Sequence, residues 1–182
     1  MNEETLENSI RKLAYFNGKG EIIKDSQKRE SHFIWHGGEP LLVGLNFYRK
    51  VIEIQSDLKK EGYNFRNSIQ TNGTLIDEEI ADFFKEYDFS VGLSLDGPKE
   101  LNDKTRLYRI SRNGSKSTFE DVLSSMEILR KKDLDVKVIV VVNKYNIDHL
   151  HKIYNFLKEH KIDAKLNPLI KSGRAIENYN EL

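Results

Sequence analysis

Cysteine is missing from all 182 residues. Its absence excludes disulfide bonds and a thiolate nucleophile. It also excludes a thiolate-ligated metal ion or iron–sulfur cluster built from these residues alone. Excess charge of either sign is missing too. The 29 basic residues meet 29 acidic ones, so no net field argues for a nucleic acid or an anionic membrane surface as partner. Long apolar runs are absent. The longest lies near Val138–Val142, far short of the ~20 residues that cross a bilayer. Met1–Arg11 is polar and holds three glutamates, unlike a secretory signal, and the cytoplasm is the expected location. No internal repeat or low-complexity linker divides the chain.

What is present is enough for one domain with a core: 38 % of residues are apolar, at a length of about one domain. Helix and strand patterns alternate. Leu6, Ile10, Leu13 and Ala14 share a helix face that ends at Asn17-Gly18. His32–Trp35 reads as a strand. Phe47, Val51, Ile54 and Leu58 mark a helix with Gly62 past its end, where a left-handed residue is common. Phe65–Gln70 is a strand, and Asp77 caps a helix bearing Ile80, Phe83 and Phe84. Phe89–Leu95 is a strand, and Leu101–Ser117 a long loop with Lys104, Arg106, Arg109 and Arg112. Thr118 and Asp121 suggest a capped start for the helix of Val122, Met126 and Leu129. Val136–Val142, continuous and β-branched, reads as a strand buried on both faces. Asn146 opens a helix through Leu157, and Ala164–Asn167 is the last strand. Five strands alternating with five helices imply an α/β fold with parallel strands and right-handed crossovers. A partial parallel (β/α) barrel fits this count, with a doubly wound open sheet as the alternative.

In such folds the site forms beyond the carboxyl ends of the strands. Those ends carry polar residues and glycines: His36-Gly37-Gly38-Glu39-Pro40, Gln70-Thr71-Asn72-Gly73, Ser94-Leu95-Asp96-Gly97-Pro98, Val142-Asn143 and Asn167-Pro168. Alternation places Gln70 with Asn72, and Ser94 with Asp96, so four polar side chains are expected to converge on one ligand. Each segment taken singly also reads as ordinary turn chemistry. Their joint placement at successive strand ends is what argues for a site.

These residues resemble a known family. Phe33-Ile34-Trp35-His36-Gly37-Gly38-Glu39-Pro40-Leu41-Leu42 looks like the GGEP strand of radical S-adenosylmethionine (SAM) enzymes. Gln70-Thr71-Asn72-Gly73-Thr74-Leu75, and Gly92-Leu93-Ser94-Leu95-Asp96-Gly97-Pro98 with Asn102, Asp103 and Arg106, resemble the next two strand ends. Asn167-Pro168-Leu169-Ile170 through Ser172-Gly173-Arg174-Ala175 resembles the end of the barrel domain. The ordered set is similar to the anaerobic sulfatase-maturating enzymes and their SPASM-domain relatives, which modify peptides, and it spans residues 1–182 as one partial barrel domain. The resemblance implies SAM and a 4Fe-4S cluster as cofactors. It also implies a peptide or protein substrate, such as a sulfatase, and an electron donor. The implied reaction is reductive cleavage of SAM to a 5′-deoxyadenosyl radical that removes a hydrogen atom from a Cys or Ser side chain, which becomes formylglycine. By position in these motifs, His36, Gly37, Gly38, Glu39, Gln70, Asn72, Ser94, Asp96 and Arg106 are the expected cofactor-binding residues. Glu39 and the glycines would serve the SAM amino group, and Ser94 and Arg106 its carboxylate or ribose.

One departure stands out. The family's Cys-x3-Cys-x2-Cys motif follows the first barrel strand, and no cysteine is present here. The expectation is therefore a piece of a longer oxidoreductase, inactive by itself. The first strand and the SPASM region are expected to lie outside it, and the Phe33–Trp35 strand to form a sheet edge. A thioether-forming or other peptide maturase, and a cluster-free remnant acting as a binding module, are the alternative readings.

Overall fold

The computed structural model describes residues 2–18, 30–108, 116–171 and 176. Five parallel strands form one sheet in the order of the chain. They are β1 (Glu30–Trp35), β2 (Asn64–Thr71), β3 (Phe89–Ser94), β6 (Val136–Val142) and β7 (Asp163–Pro168). The connections carry α1 (Glu3–Gly18) before β1, α2 (Leu45–Lys60), α3 (Glu78–Glu86), the single turn α4 (Lys99–Asn102), α5 (Phe119–Lys131) and α6 (Leu150–Glu159). Sequential order and uniform direction make this a partial β/α barrel and remove the doubly wound alternative.

Alternation along the strands sorts the two faces. Ile69 and Thr71 of β2, Val91 and Leu93 of β3, and Val138 and Val140 of β6 are buried. The apolar ones pack with Ala81, Phe83 and Phe84 of α3, Val122, Met126 and Leu129 of α5, and Ile153 and Leu157 of α6 in one core. A second cluster joins Leu6, Ile10 and Ala14 of α1 to Val51, Ile54 and Leu58 of α2, over Phe33, Trp35 and Phe65. Between α2 and the sheet runs a buried polar bridge. Trp35 Nε1 and Gln55 Nε2 both donate to Asn67 Oδ1 at 3.1 Å, and Asn67 Nδ2 donates to Gln55 Oε1 at 2.8 Å. Every polar atom in it is partnered, which is the condition under which burying amides is tolerated.

Several sequence expectations change here. Val136–Val142 is covered on one face only: Ile139, Val141 and Val142 are half-buried and Lys137 is exposed. The other side of this strand is a cavity wall, and an apolar wall reads the same as an apolar core. The Phe33–Trp35 strand is the edge of the sheet among the described residues, paired only with β2. Phe33 and Trp35, however, stack on each other at 5.7 Å under the helices, and only Ile34 is exposed. The long loop contains α4 and a short antiparallel pair, β4 (Leu107–Tyr108) with β5 (Lys116–Ser117). Arg109, Arg112 and the segment 172–175 lie outside the described residues. Asp77 caps α3 as expected, its Oδ1 accepting from Ile80 N at 2.9 Å. Thr118 precedes α5 but does not cap it: its hydroxyl donates to Arg106 O, and Ser117 Oγ accepts from Phe119 N instead. No helix among the described residues is long and apolar enough to cross a membrane.

Candidate functional site

At the carboxyl ends of the strands, on the face away from the helices, lies a cavity of about 750 Å³, within the range of small-molecule sites. Of the nine residues expected from sequence, His36, Gly38, Glu39, Gln70, Asn72, Ser94 and Arg106 line it. Gly37 and Asp96 do not.

The turn after β1 is built by three devices. Gly37 and Gly38 take φ values of 103° and 56°, a region costly for residues with a side chain. A Cβ at either position would meet nothing within 4 Å. Within the protein, the glycines therefore serve backbone conformation. Tyr48, fully buried on α2, donates its hydroxyl to Pro40 O at 2.8 Å, and burial pushes that hydroxyl's pKa well up. Glu39 is the third device. Its Oε1 accepts from Leu41 N at 3.0 Å and Thr71 Oγ1 at 2.6 Å, and its Oε2 accepts from Asn72 N at 2.8 Å. Three of about four acceptor positions on the carboxylate are thus used to tie the β1 turn to the end of β2.

Gln70 and Ser94 form the floor. Gln70 lies opposite Gly92 in the β2–β3 register, and Gln70 Oε1 occupies the space a Gly92 Cβ would need, 2.1 Å from it. Gln70 Nε2 donates to Ser94 Oγ at 3.1 Å. A hydroxyl that accepts in this way keeps its own proton for another acceptor. Asn72 Oδ1 accepts from Thr74 N and Thr74 Oγ1, so its carbonyl shapes the loop while its Nδ2 donors have no protein partner among the described residues.

Asp96 lies outside the lining of this cavity. It sits two residues past β3, where the alternation no longer holds, and is 2 % exposed. Its carboxylate accepts from Arg106 Nε at 2.6 Å, Arg106 Nη2 at 3.1 Å, Thr105 Oγ1 at 3.2 Å and Val141 N at 2.8 Å. Its acceptor positions are thus taken up by protein donors. Arg106 is the residue it holds, and Arg106 reaches the cavity.

Sequence reasoning missed the apolar wall: Ile34, Ile139, Val141, Leu169 and Ile170. Two-residue alternation applied to the Val136–Val142 run would have found Ile139 and Val141. It also missed Thr71, and left Asn167 and Pro168, noted as a strand end, off the ligand set. Among the described residues no group of three or more His, Asp or Glu is placed to hold a metal ion. With no thiolate in the chain, the residues present do not fit an iron–sulfur cluster.

The fold is a partial β/α barrel with a cavity at its carboxyl rim, apolar on one wall and lined by polar groups on the other. Comparison with known proteins gives the family. The sequence signature described as "Radical SAM superfamily" matches residues 18–157, and the chain belongs to that superfamily. It is 43 % identical over 127 residues to a cysteine-type anaerobic sulfatase-maturating enzyme of Clostridium novyi, covering 70 % of this chain and 33 % of the relative. It is 38 % identical over 139 residues to a serine-type enzyme of that name from Bacteroides thetaiotaomicron, covering 76 % and 32 %. The chain thus spans about a third of the length of these relatives. Among solved structures, native anSMEcpe with bound AdoMet and Kp18Cys peptide superposes with a TM-score of 0.77 at 30 % identity, covering 93 % of this chain and 43 % of that one. Streptococcus suis SuiB bound to S-adenosylmethionine gives 0.61 at 15 % identity, covering 94 % and 35 %, a likeness of fold alone.

Proposed function

We propose that this chain forms the SAM-binding part of a radical SAM enzyme that modifies a peptide or protein side chain, most like sulfatase maturation. The observation that carries the reading is the pairing of Ser94 and Arg106 in one cavity. Ser94 accepts from Gln70 and so turns its proton outward. Arg106 spends two of five N–H donors on Asp96 and keeps three. Together they form a donor set for a carboxylate. The carbonyls of the β1 turn suit an ammonium, and the Ile34, Ile139, Val141 and Leu169 wall suits an adenine ring. SAM carries all three groups, and when bound it supplies the adenosyl moiety that this family cleaves reductively. Residues 1–182 act as one unit of the barrel in this proposal. The 4Fe-4S cluster belongs to the parent enzyme, because the residues here do not fit it. A sulfatase as substrate, an electron donor as partner and the cytoplasm as location rest on the family likeness.

Nuclear magnetic resonance of the 182-residue chain titrated with SAM tests the reading at weak affinity. Amide shifts should concentrate at residues 36–39, 70–72 and 92–94 and saturate. Saturating shifts centred elsewhere, or none at millimolar ligand, would sink it.

A further inference from the structure

Asp96 is the most thoroughly used carboxylate among the described residues, and none of its acceptor positions faces the main cavity. It borders a second, smaller cavity of about 240 Å³ together with Thr105, Val141 and Asn143. Arg106 borders both cavities, together with Val141 and Leu169, and is gripped from the side of the smaller one. The grip is over-determined. Two guanidinium nitrogens meet the Asp96 carboxylate in a fork, Arg106 N donates to Asn102 O at 2.9 Å, and Thr118 donates to Arg106 O at 2.9 Å. Asn102, fully buried, accepts from Asp96 N at 3.2 Å with its side chain. Val141 N ties the same carboxylate to β6.

An arginine side chain left free samples many rotamers, and a cation that wanders gives charge without direction. A forked carboxylate fixes the guanidinium plane and leaves its remaining N–H groups aimed one way. We infer that Asp96 is a positioning residue: it touches no ligand, and it sets Arg106 so that the cavity selects ligands bearing a carboxylate at the Ser94–Arg106 corner. This rests on the SAM reading above and deepens it, by assigning the carboxylate selectivity to a residue outside the cavity.

The test compares two adenosyl ligands on the chain. S-adenosylhomocysteine carries the amino-acid carboxylate, and 5′-methylthioadenosine lacks it. Unaltered protein should prefer the former, and equal affinity would refute the SAM reading itself. Asp96→Asn keeps the volume and removes the fork. It should weaken S-adenosylhomocysteine about tenfold, the worth of roughly one charge-assisted hydrogen bond, and leave 5′-methylthioadenosine unchanged. A preference that survives in Asp96→Asn, or an equal loss for both ligands, would overturn the positioning role. Arg106→Lys keeps a cation without a fork and carries the test if Asp96→Asn does not fold. It should lose the preference too, and its retention would count against the inference.

Discussion

Replacing Glu39 by glutamine separates two roles that sequence could not. If the carboxylate were mainly a ligand for an ammonium, Glu39→Gln would cost ligand affinity and little stability. The structure argues the reverse. An amide at this position keeps one oxygen, which can continue to accept from Leu41 N and Thr71 Oγ1. It then turns an NH₂ against Asn72 N, where Oε2 now accepts at 2.8 Å. The least loss is one charge-assisted hydrogen bond plus a donor facing a donor. Such bonds contribute about 1.5–3 kcal/mol, and half-burial of Glu39 and Asn72 argues for roughly 2 kcal/mol. For a domain of this size that lowers the melting temperature by about 4–8 °C. Thermal and urea unfolding followed through Trp35, the one tryptophan, reports it directly, since Trp35 packs at 5.6 Å from Phe47 and 5.8 Å from Tyr48. Glu79→Gln is the matched control. Its pair with Arg49 at 3.0 Å is exposed, and exposed pairs contribute at most ~1 kcal/mol. A melting point for Glu39→Gln within about 1 °C of the parent, or no lower than that of Glu79→Gln, would refute the clamp.

Gly92→Ala should leave stability within about 1 kcal/mol, because alanine suits a strand better than glycine. It should nonetheless weaken adenosyl-ligand binding several-fold by displacing Gln70 from Ser94. Binding affinity of Gly92→Ala, Gln70→Ala and the double variant checks this, and fully additive losses would show that the two residues act separately. Anaerobic incubation of the 182-residue chain with iron and sulfide should leave no stoichiometric cluster after desalting, since thiolate ligands are missing. Iron and sulfide analysis decides, and a stable four-iron content would defeat the ligand argument.

Apolar patterning with cap and turn residues was enough to place the five parallel strands and five of the helices, while α4 lay hidden in what reads as a loop. Strand ends such as Gln70-Thr71-Asn72-Gly73 and Ser94-Leu95-Asp96-Gly97 could be located because polar and glycine residues follow apolar runs there, and parallel topology gathers such ends on one rim. The lack of thiolate ligands for a cluster was legible without any structure. Roles within the rim were a different matter. Local sequence marked Glu39 and Asp96 as polar strand-end residues but not their partners in the fold: Thr71 and Asn72 for one, Arg106 and Val141 for the other. Gly92 carries no local signal, and its use appears only when the β2–β3 register sets Gln70 across from it. Val136–Val142 showed apolar character but not which side met helices and which met a cavity. Local sequence fixes where a residue stands along its strand, through steric and hydrophobic preferences that act over a few residues. Hydrogen-bond partners depend on distances of a few ångströms between segments 10 to 45 residues apart, and those distances exist only once the sheet is assembled.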